Sequence, residues 1–292
     1  MNSLLVLVCS ICATLSSIGI RCFQTRIQKS NHQLLLFQFG YILIDALIFL
    51  VMAGFTMPTA WNAWLLAIAF SFCMFTASIG GAESYLHGPM SLSSIIINCN
   101  VLMPIVAGCI SYHETLSAAH IVGILFLLAT LVLSGIGPRQ EKREIAPIWY
   151  LYVLMGFLGN GFGAIILSAY GKQFQGVGNQ SFLGLSFLLS ALLLLGYYFY
   201  SGIRKPEKTD PIRPIPLFLL LITFSAIGCF GTNILLLFLS SRMPASMLYP
   251  IYTGGTSLLI CLISCIVFQE KMTRKKLLNI LLGLIAVILL NL

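Results

Sequence analysis

Ten long apolar runs constrain the fold of this chain more than any other feature. They cover residues 3–20, 33–54, 62–80, 91–111, 119–136, 147–168, 180–200, 215–237, 245–268 and 276–291. About 20 apolar residues in an α-helix are enough to cross the hydrocarbon core of a bilayer. Only 8% of the 292 residues are charged, against about 25% in a soluble domain. We therefore predict an all-α integral membrane protein with ten transmembrane helices and no room for a soluble domain.

The Lys and Arg residues are distributed unequally between the connections that join these runs. Fourteen of the sixteen fall in odd-numbered connections, and the even-numbered ones hold only Lys172 and Arg242. Positively charged connections stay in the cytoplasm. The pattern predicts cytoplasmic odd connections, both termini outside, and a multi-pass protein of a bacterial inner or plasma membrane. Because the net charge of +8 is spread over short connections, nucleic acid is not an expected partner.

The proline-bearing connection at residues 138–147 divides the chain into two halves of five spans each, residues 1–137 and 148–292. An odd number of spans in each half means that the second half crosses the membrane in the opposite sense. Glu114 and Glu270 take matching places at the ends of the fourth and ninth spans. Inverted repeats of this kind recur in transporters and place a site near the midplane, between the halves.

Three stretches carry a resemblance to a known family: GPMSLSSIIINCNVLMPIVAGCISYHETLS (88–117), LYPIYTGGTSLLICLISCIVFQEKMT (248–273) and the tail GLIAVILL (283–290). In them the chain resembles the drug/metabolite transporter superfamily, specifically its EamA-like ten-helix transporters. Many members carry Gly-Glu where this chain has His113-Glu114 and Gln269-Glu270, so the glutamates match and the glycines do not. The resemblance implies a carrier of small metabolites whose central cavity is lined by the first four helices of each half. It names no substrate, because one fold hosts many functions.

The ninth span contains residues that weaken a helix. Pro250 removes a backbone donor, and Gly254 and Gly255 bring no side chain. We predict that this helix bends here, and that a second bend lies near Pro104 in the fourth span.

A polar stripe lies beside this weak point. Tyr249, Tyr252, Thr253 and Thr256 fall at i, i+3, i+4 and i+7, so a regular helix gathers their hydroxyls on one face. We interpret the stripe as the wall of a substrate cavity. In the alternative interpretation, the glycines serve close packing and the hydroxyls bond to their own backbone.

Asp45 is the only acidic residue near the centre of a predicted span. With Gln38 and Tyr41 it forms a stripe at i, i+3 and i+7, which favours a polar face turned away from lipid. We hypothesise that Asp45 carries a coupling proton or binds the substrate. The alternative is a structural hydrogen bond to a neighbouring helix.

Two asparagines are further candidates for the cavity wall. Asn98 shares a face of the fourth span with Ser91 and Ser94, whereas Asn100 lies on another face, and we select Asn98 for the cavity. Asn160 lies in the sixth span in the stretch MGFLGNGFGA (155–164), whose glycine stripe indicates close helix packing.

Three glutamates are assigned to the ends of helices. Glu83 is expected to form a solvated pair with His87 at the cytoplasmic mouth. Glu114 and Glu270 are expected to cap helices or to act as gate contacts.

The resulting functional prediction is a secondary active transporter that moves a small polar or amphipathic metabolite by alternating access. We expect a coupling proton or counter-solute, a monomer in the lipid bilayer, and no cofactor or metal, because the nine cysteines show no ligand spacing. A channel and a membrane scaffold are the alternatives. An intramembrane enzyme is disfavoured, because no HExxH or GxSxG motif occurs.

Overall fold

The computed structural model describes residues 2–28, 30–135, 146–204, 212–267 and 274–290, and these ranges contain helices without any strand. The helices are α1 (Asn2–Arg26), α2 (Asn31–Met52), α3 (Trp61–His87), α4 (Met90–Asn98), α5 (Leu102–Tyr112), α6 (Ala118–Gly135), α7 (Ile148–Phe174), α8 (Asn179–Arg204), α9 (Ile215–Ser240), α10 (Ala245–Val267) and α11 (Arg274–Leu289). A 3₁₀ turn, Cys99–Val101, joins α4 to α5.

Within the described ranges, eight helical segments are long and apolar enough to cross a membrane, one of them formed by α4 and α5 together. The helices α6 and α11 supply two shorter apolar segments. The chain is therefore an α-helical multi-pass membrane protein, as its apolar runs predict. The largest difference concerns α3, which continues beyond the predicted 62–80 to His87. Its last two turns bury Gly80, Glu83 and Ser84 against other helices, so their low hydropathy does not end the helix.

Four pairs of helices pack side by side along much of their length: α1 on α9, α2 on α8, α3 on α7, and α6 on α11. Helix α10 lies against α1, α5 and α11. All four pairs join a helix of residues 1–137 to a helix of residues 148–292. The two halves therefore pack mainly against each other.

Glycines permit the closest of these approaches. A Cβ built on Gly159 of α7 would lie 2.6 Å from the backbone nitrogen of Ala77 and 2.7 Å from the carbonyl oxygen of Cys73, both in α3. A Cβ on Gly228 of α9 would lie 2.5 Å from the backbone nitrogen of Ser16 in α1. Small residues let helix backbones approach in a membrane, where lipid tails are as apolar as leucine.

The fourth span is interrupted where the sequence places a proline. Pro104 has no N–H to donate to the carbonyl of Asn100, four residues earlier, and the 3₁₀ turn Cys99–Val101 occupies this region. In contrast, α10 is a single helix with Pro250 inside it. The predicted bend near Pro250 is therefore not an interruption of the helix.

The two glycines of α10 are packing positions. A Cβ on Gly254 would lie 3.2 Å from Val287 of α11 and 3.3 Å from Leu127 of α6, and one on Gly255 would lie 2.7 Å from Ser10 of α1. This arrangement is the close helix packing that the sequence also allows for these glycines.

Adjacent glycines in α3 provide a test of the α3–α7 contact. A Cβ on Gly80 would overlap the backbone of Gly156 and the carbonyl of Tyr152, whereas a Cβ on Gly81 would meet nothing within 4 Å. We expect Gly80→Ala to lower the free energy of unfolding by about 1–3 kcal/mol, the usual cost of overpacking. Thermal unfolding of the purified protein in detergent measures this, with Gly81→Ala as the control. Equal stability of the two variants would contradict the contact.

Candidate functional site

A cavity of about 250 Å³ lies among α3, the 3₁₀ turn, α7, α9 and α10. Its lining, taken from the described part of the chain, contains no charged residue. The lining residues are Phe70, Met74, Ala77, Asn100, Val101, Gly159, Asn160, Gly163, Ala164, Leu167, Thr232, Asn233, Leu236, Tyr249, Tyr252 and Thr253. Nine of these sixteen residues are apolar or glycine, and the polar part of the lining consists of amides and hydroxyls alone. Residues on both sides of the central connection contribute to it.

Three asparagines of the lining use their amide nitrogens in the same way. The Nδ2 of Asn100 donates to the carbonyl of Ile97 (2.6 Å), and the Nδ2 of Asn160 donates to that of Gly156 (2.8 Å). Because a carbonyl only accepts, these bonds also determine which end of each amide is nitrogen.

Asn233 of α9 repeats the arrangement, since its Nδ2 donates to the carbonyl of Cys229 (2.9 Å). Each of the three amides thus satisfies its own helix with a donor. Within the described ranges, no protein group donates to any of the three Oδ1 atoms.

Two of the four side-chain hydroxyls in the lining donate hydrogen bonds to backbone carbonyls. Tyr249 donates its hydroxyl hydrogen to the carbonyl of Ala164 (2.7 Å), which ties α10 to α7. Thr232 donates to the carbonyl of Gly228 (2.8 Å). The hydroxyls of Tyr252 and Thr253 have no hydrogen-bond partner among the described residues, so they remain available to a solute.

Three of the six residues selected from the sequence for substrate binding line this cavity: Asn160, Tyr249 and Tyr252. Asn98 does not, because it lies on another face of the span, exposed, with its Nδ2 3.3 Å from the hydroxyl of Ser94. Thr256 donates to the carbonyl of Tyr252 (2.8 Å) instead of lining the cavity.

Thr253, which the sequence places in the polar stripe of the ninth span, also lines the cavity, whereas sequence reasoning missed Asn100, Thr232 and Asn233. Asn98 and Asn100 point about 200° apart in a regular helix, and the sequence alone gives no reason to prefer either face. The packing of α7 and α9 against the 3₁₀ turn decides in favour of Asn100. Asn233 could have been selected from the sequence, because an amide inside an apolar helix costs free energy unless it faces protein or water.

Asp45, the third residue absent from the lining, is fully buried in α2. Neither carboxylate oxygen has a hydrogen bond of good geometry in the described chain, although the thiol of Cys229 in α9 lies beside it. The Nδ2 of Asn233 lies 3.5 Å from the Sγ of Cys229. A polar connection therefore runs from the cavity wall, through Asn233 and Cys229, to Asp45.

Glu83 pairs with His87 as expected, with 3.7 Å between its Oε2 and the ring Nδ1. The prediction that this pair is solvated is wrong, because Glu83 is only 9% exposed. Tyr197 of α8 covers the carboxylate and donates its hydroxyl to Oε1 (3.4 Å).

Glu114 joins three helices at the end of the molecule where α10 begins. Its carboxylate accepts the backbone N–H groups of Ala245 (3.0 Å) and Ser246 (2.9 Å), at the first turn of α10. It also forms an ion pair with Lys172 near the end of α7, and the Lys172 ammonium lies 3.5 Å from the ring centroid of Tyr112. A carboxylate at this position satisfies unpaired donors and complements the positive end of the helix dipole. Glu270, the matching candidate, lies outside the described residues.

The contacts of Glu114 lower the pKa of its carboxyl group. Burial by itself raises the pKa of Glu114, but the hydrogen bonds from Lys172, Ser246 and Ala245 outweigh it and hold the pKa below the usual glutamate value. The ionised form is therefore the one that this arrangement stabilises.

Comparisons with known proteins support the fold and leave the family open. No protein-family model matches the chain, and no curated protein matches it. A solved structure described only as "Crystal structure of protein" is similar to it, with a TM-score of 0.73 and 14% sequence identity. The similarity covers 100% of this chain and 98% of that chain. At this identity the likeness applies to the fold alone.

Removing the charge of Glu114 tests its role at α10. We expect Glu114→Gln to lower the free energy of unfolding at neutral pH by about 1–3 kcal/mol, the range for hydrogen bonds to charged and buried groups. Thr115→Ala, an exposed neighbour, is the control and should behave as the unmodified protein.

The pH dependence of stability in the unmodified protein and in Glu114→Gln gives a second test of the Glu114 carboxylate. Because the folded-state pKa is depressed, the stabilisation is complete above the unfolded value of about 4.3. It is lost as the pH falls through the lower folded-state value. The difference in unfolding temperature between the unmodified protein and Glu114→Gln should therefore be full at pH 7 and shrink below about pH 4. A difference that is constant from pH 7 to pH 3 would contradict the role of the carboxylate.

Proposed function

We propose that this protein is a secondary carrier that moves a small polar or amphipathic metabolite across the cytoplasmic membrane by alternating access. The observation that carries the proposal is the uncharged polar cavity, whose wall combines helices from residues 1–137 with helices from residues 148–292. Rocking of one half against the other then opens this cavity to one side of the membrane at a time.

The pairing of the helices supports two inverted five-helix repeats. If each helix of the first half corresponds to the one five spans later, α1 corresponds to α7 and α3 to α9. The close pair α1–α9 then corresponds to the close pair α7–α3. The pairs α2–α8 and α6–α11 each join two corresponding helices. A two-fold relation between the halves accounts for all four pairs at once, and five spans per half make that relation an inversion.

The resemblance to EamA-like transporters is consistent with this arrangement. It implies peripheral fifth and tenth spans, and α6 packs with α11 apart from the residues that line the cavity. Membership of the drug/metabolite transporter superfamily is part of the proposal.

Glu114 is suited to a gate in this mechanism. Its bonds to α10 and to Lys172 of α7 hold helices of the second half against the connection that follows α5. With odd connections in the cytoplasm, this contact lies on the outer side, so its opening would admit solute from outside.

Asp45 is the proposed coupling residue. A buried carboxylate without a firm hydrogen-bond partner can change protonation without losing existing bonds, and Cys229 and Asn233 connect it to the cavity. Proton uptake by Asp45 would therefore alter the polarity of one wall of the cavity. The sequence contains no GxxxxGK(S/T) motif for ATP, so a gradient is the proposed driving force.

A channel and a scaffold remain the competing functions. A channel would conduct ions through a continuous pore lined by carbonyl or charged rings. A scaffold would not require amides and hydroxyls from α7, α9 and α10 to converge on one cavity. Among the described residues that line the cavity there is no His, Asp, Glu, Lys or Cys to serve as a base or thiol nucleophile, which favours a carrier over an intramembrane enzyme.

Transport by the purified protein tests the proposal. We expect proteoliposomes containing the unmodified protein to accumulate at least one solute from a defined metabolite mixture, as measured by mass spectrometry. Asn160→Leu should reduce its initial rate at least tenfold, because it removes an acceptor from the wall. Asn98→Leu, a change outside the cavity, should retain the rate. Ion currents in a planar bilayer, or no uptake by folded protein, would refute a carrier.

The coupling role of Asp45 has a separate test. With a pH gradient across the vesicle, Asp45→Asn should abolish the dependence of uptake on that gradient while exchange of solute between the two sides continues. Cys229→Ser, which keeps a polar hydroxyl next to Asp45, should preserve the dependence. If uptake by Asp45→Asn still follows the gradient, Asp45 is only a structural residue.

A further inference from the structure

We infer that the cavity binds a small primary ammonium ion, through hydrogen bonds from its N–H groups to oxygens that can only accept. This inference rests on the proposed function insofar as the bound ion is the transported solute. The direction of the hydrogen bonds in the wall decides which groups the wall can offer to a ligand.

The amides supply the first acceptors. In Asn100, Asn160 and Asn233 an Nδ2 donor is already bonded to a backbone carbonyl of the same helix. In each case the bond directs the nitrogen toward the helix, which leaves the Oδ1 as the end free for a ligand. The three asparagines, from the 3₁₀ turn, α7 and α9, line one cavity, so we place their Oδ1 atoms in its wall.

Two hydroxyls add to this set. Thr232 and Tyr249 have donated their only hydroxyl hydrogens to the carbonyls of Gly228 and Ala164. An oxygen whose hydrogen is committed can only accept further bonds. Five oxygens of the lining are thus acceptors, four of them on α7, α9 and α10.

Four groups of the lining can still donate a hydrogen bond, against the five oxygens that can only accept one. The hydroxyls of Tyr252 and Thr253 can rotate to donate or accept, and Asn100 and Asn160 each keep a second N–H. The second N–H of Asn233 is directed at the sulfur of Cys229, 3.5 Å from Nδ2. A ligand with N–H donors can therefore pair with the five fixed acceptors and with both rotatable hydroxyls, whereas a ligand with acceptors alone can pair with at most four groups of the wall.

The charge of the ligand follows from the same wall. The lining, as the structure describes it, holds neither basic nor acidic side chains, so an ion of either sign depends on neutral groups for its stabilisation. A carboxylate or phosphate would have few N–H and O–H donors to replace its water. A cation would meet amide and hydroxyl oxygens and the aromatic rings of Phe70, Tyr249 and Tyr252, whose faces attract positive charge. Asp45 adds a negative group on the far side of Cys229 when it is ionised.

The volume of the cavity and the number of N–H groups on the ligand narrow the class of ligand further. About 250 Å³ is below the range of about 300–1,000 Å³ typical of sites for drug-sized ligands. A quaternary ammonium has the same charge as a primary one but no N–H to donate. It would satisfy the aromatic rings and leave the five acceptors unpaired, and desolvated polar groups without partners cost affinity.

The experiment compares matched cations by binding alone. Unfolding temperatures of the purified full-length protein are measured with ethylammonium, butylammonium and 2-phenylethylammonium, and with the N,N,N-trimethyl derivative of each. Butan-1-ol and butanoate replace butylammonium as uncharged and anionic controls. A ligand that binds only the folded protein raises its stability with concentration.

We expect saturable stabilisation by at least one primary ammonium, with an apparent Kd at least tenfold lower than that of its trimethyl derivative and of both controls. Equal or tighter binding of the trimethyl derivative would overturn the inference. So would the absence of stabilisation by all three primary ammonium ions.

Variants locate the effect in the cavity. Asn160→Asp should tighten binding of the primary ammonium, because it replaces an amide oxygen with a carboxylate, and Asn160→Leu should remove the preference over the trimethyl derivative. Asn98→Leu should leave both affinities unchanged. An equal loss in Asn98→Leu and Asn160→Leu would place the binding elsewhere.

The outcome is separate from that of the transport test. A preference for N–H donors in protein that moves no solute would retain the ligand class and refute the carrier. Transport of a solute without any such preference would retain the carrier and refute the ligand class.

Discussion

The need to satisfy polar groups away from water is the constraint on which the structure depends. Each backbone N–H and carbonyl within the bilayer must be bonded, and helices satisfy this requirement internally. A side-chain amide in such a helix then has two options, a neighbouring helix or its own backbone. Asn100, Asn160 and Asn233 all use their own backbone for one N–H group. Their oxygens remain for a solute, so the same local bond that makes an amide tolerable also gives the cavity its character.

Close glycine contacts and the cavity are two parts of one arrangement. Gly159 brings α7 against α3, while Asn160, the next residue, lines the cavity. Tight packing at Gly159 thus sets the position of the adjacent polar group, since consecutive residues of a helix are only about 100° apart. The bond from Tyr249 to the carbonyl of Ala164 then ties α10 to the same stretch of α7. A rigid contact between α3 and α7 and a polar contact between α7 and α10 therefore border the cavity on different sides.

The sequence predicts the helices well because long apolar runs leave few alternatives in a bilayer. It also predicts part of the site, since Asn160, Tyr249 and Tyr252 are polar residues within two positions of a glycine or proline in apolar helices. It does not predict Asn100 over Asn98, because that choice depends on which face α7 and α9 cover. Nor does it pair Glu114 with Lys172, 58 residues away, because only the packing of helices brings them together. The burial of Glu83 depends likewise on Tyr197, which belongs to another helix.

Access of water to the cavity tests the central claim most directly. Thr253→Cys places a thiol in the cavity wall, and Leu125→Cys places one on α6 at a position that is 60% exposed on the apolar surface. Both variants are treated in native membranes with a small, membrane-impermeant methanethiosulfonate, and labelling is quantified at each introduced cysteine by peptide mass spectrometry. The account predicts rapid labelling at position 253 and little at position 125. Labelling at 125 with protection at 253 would place lipid or packed protein where the cavity is described, and would contradict it.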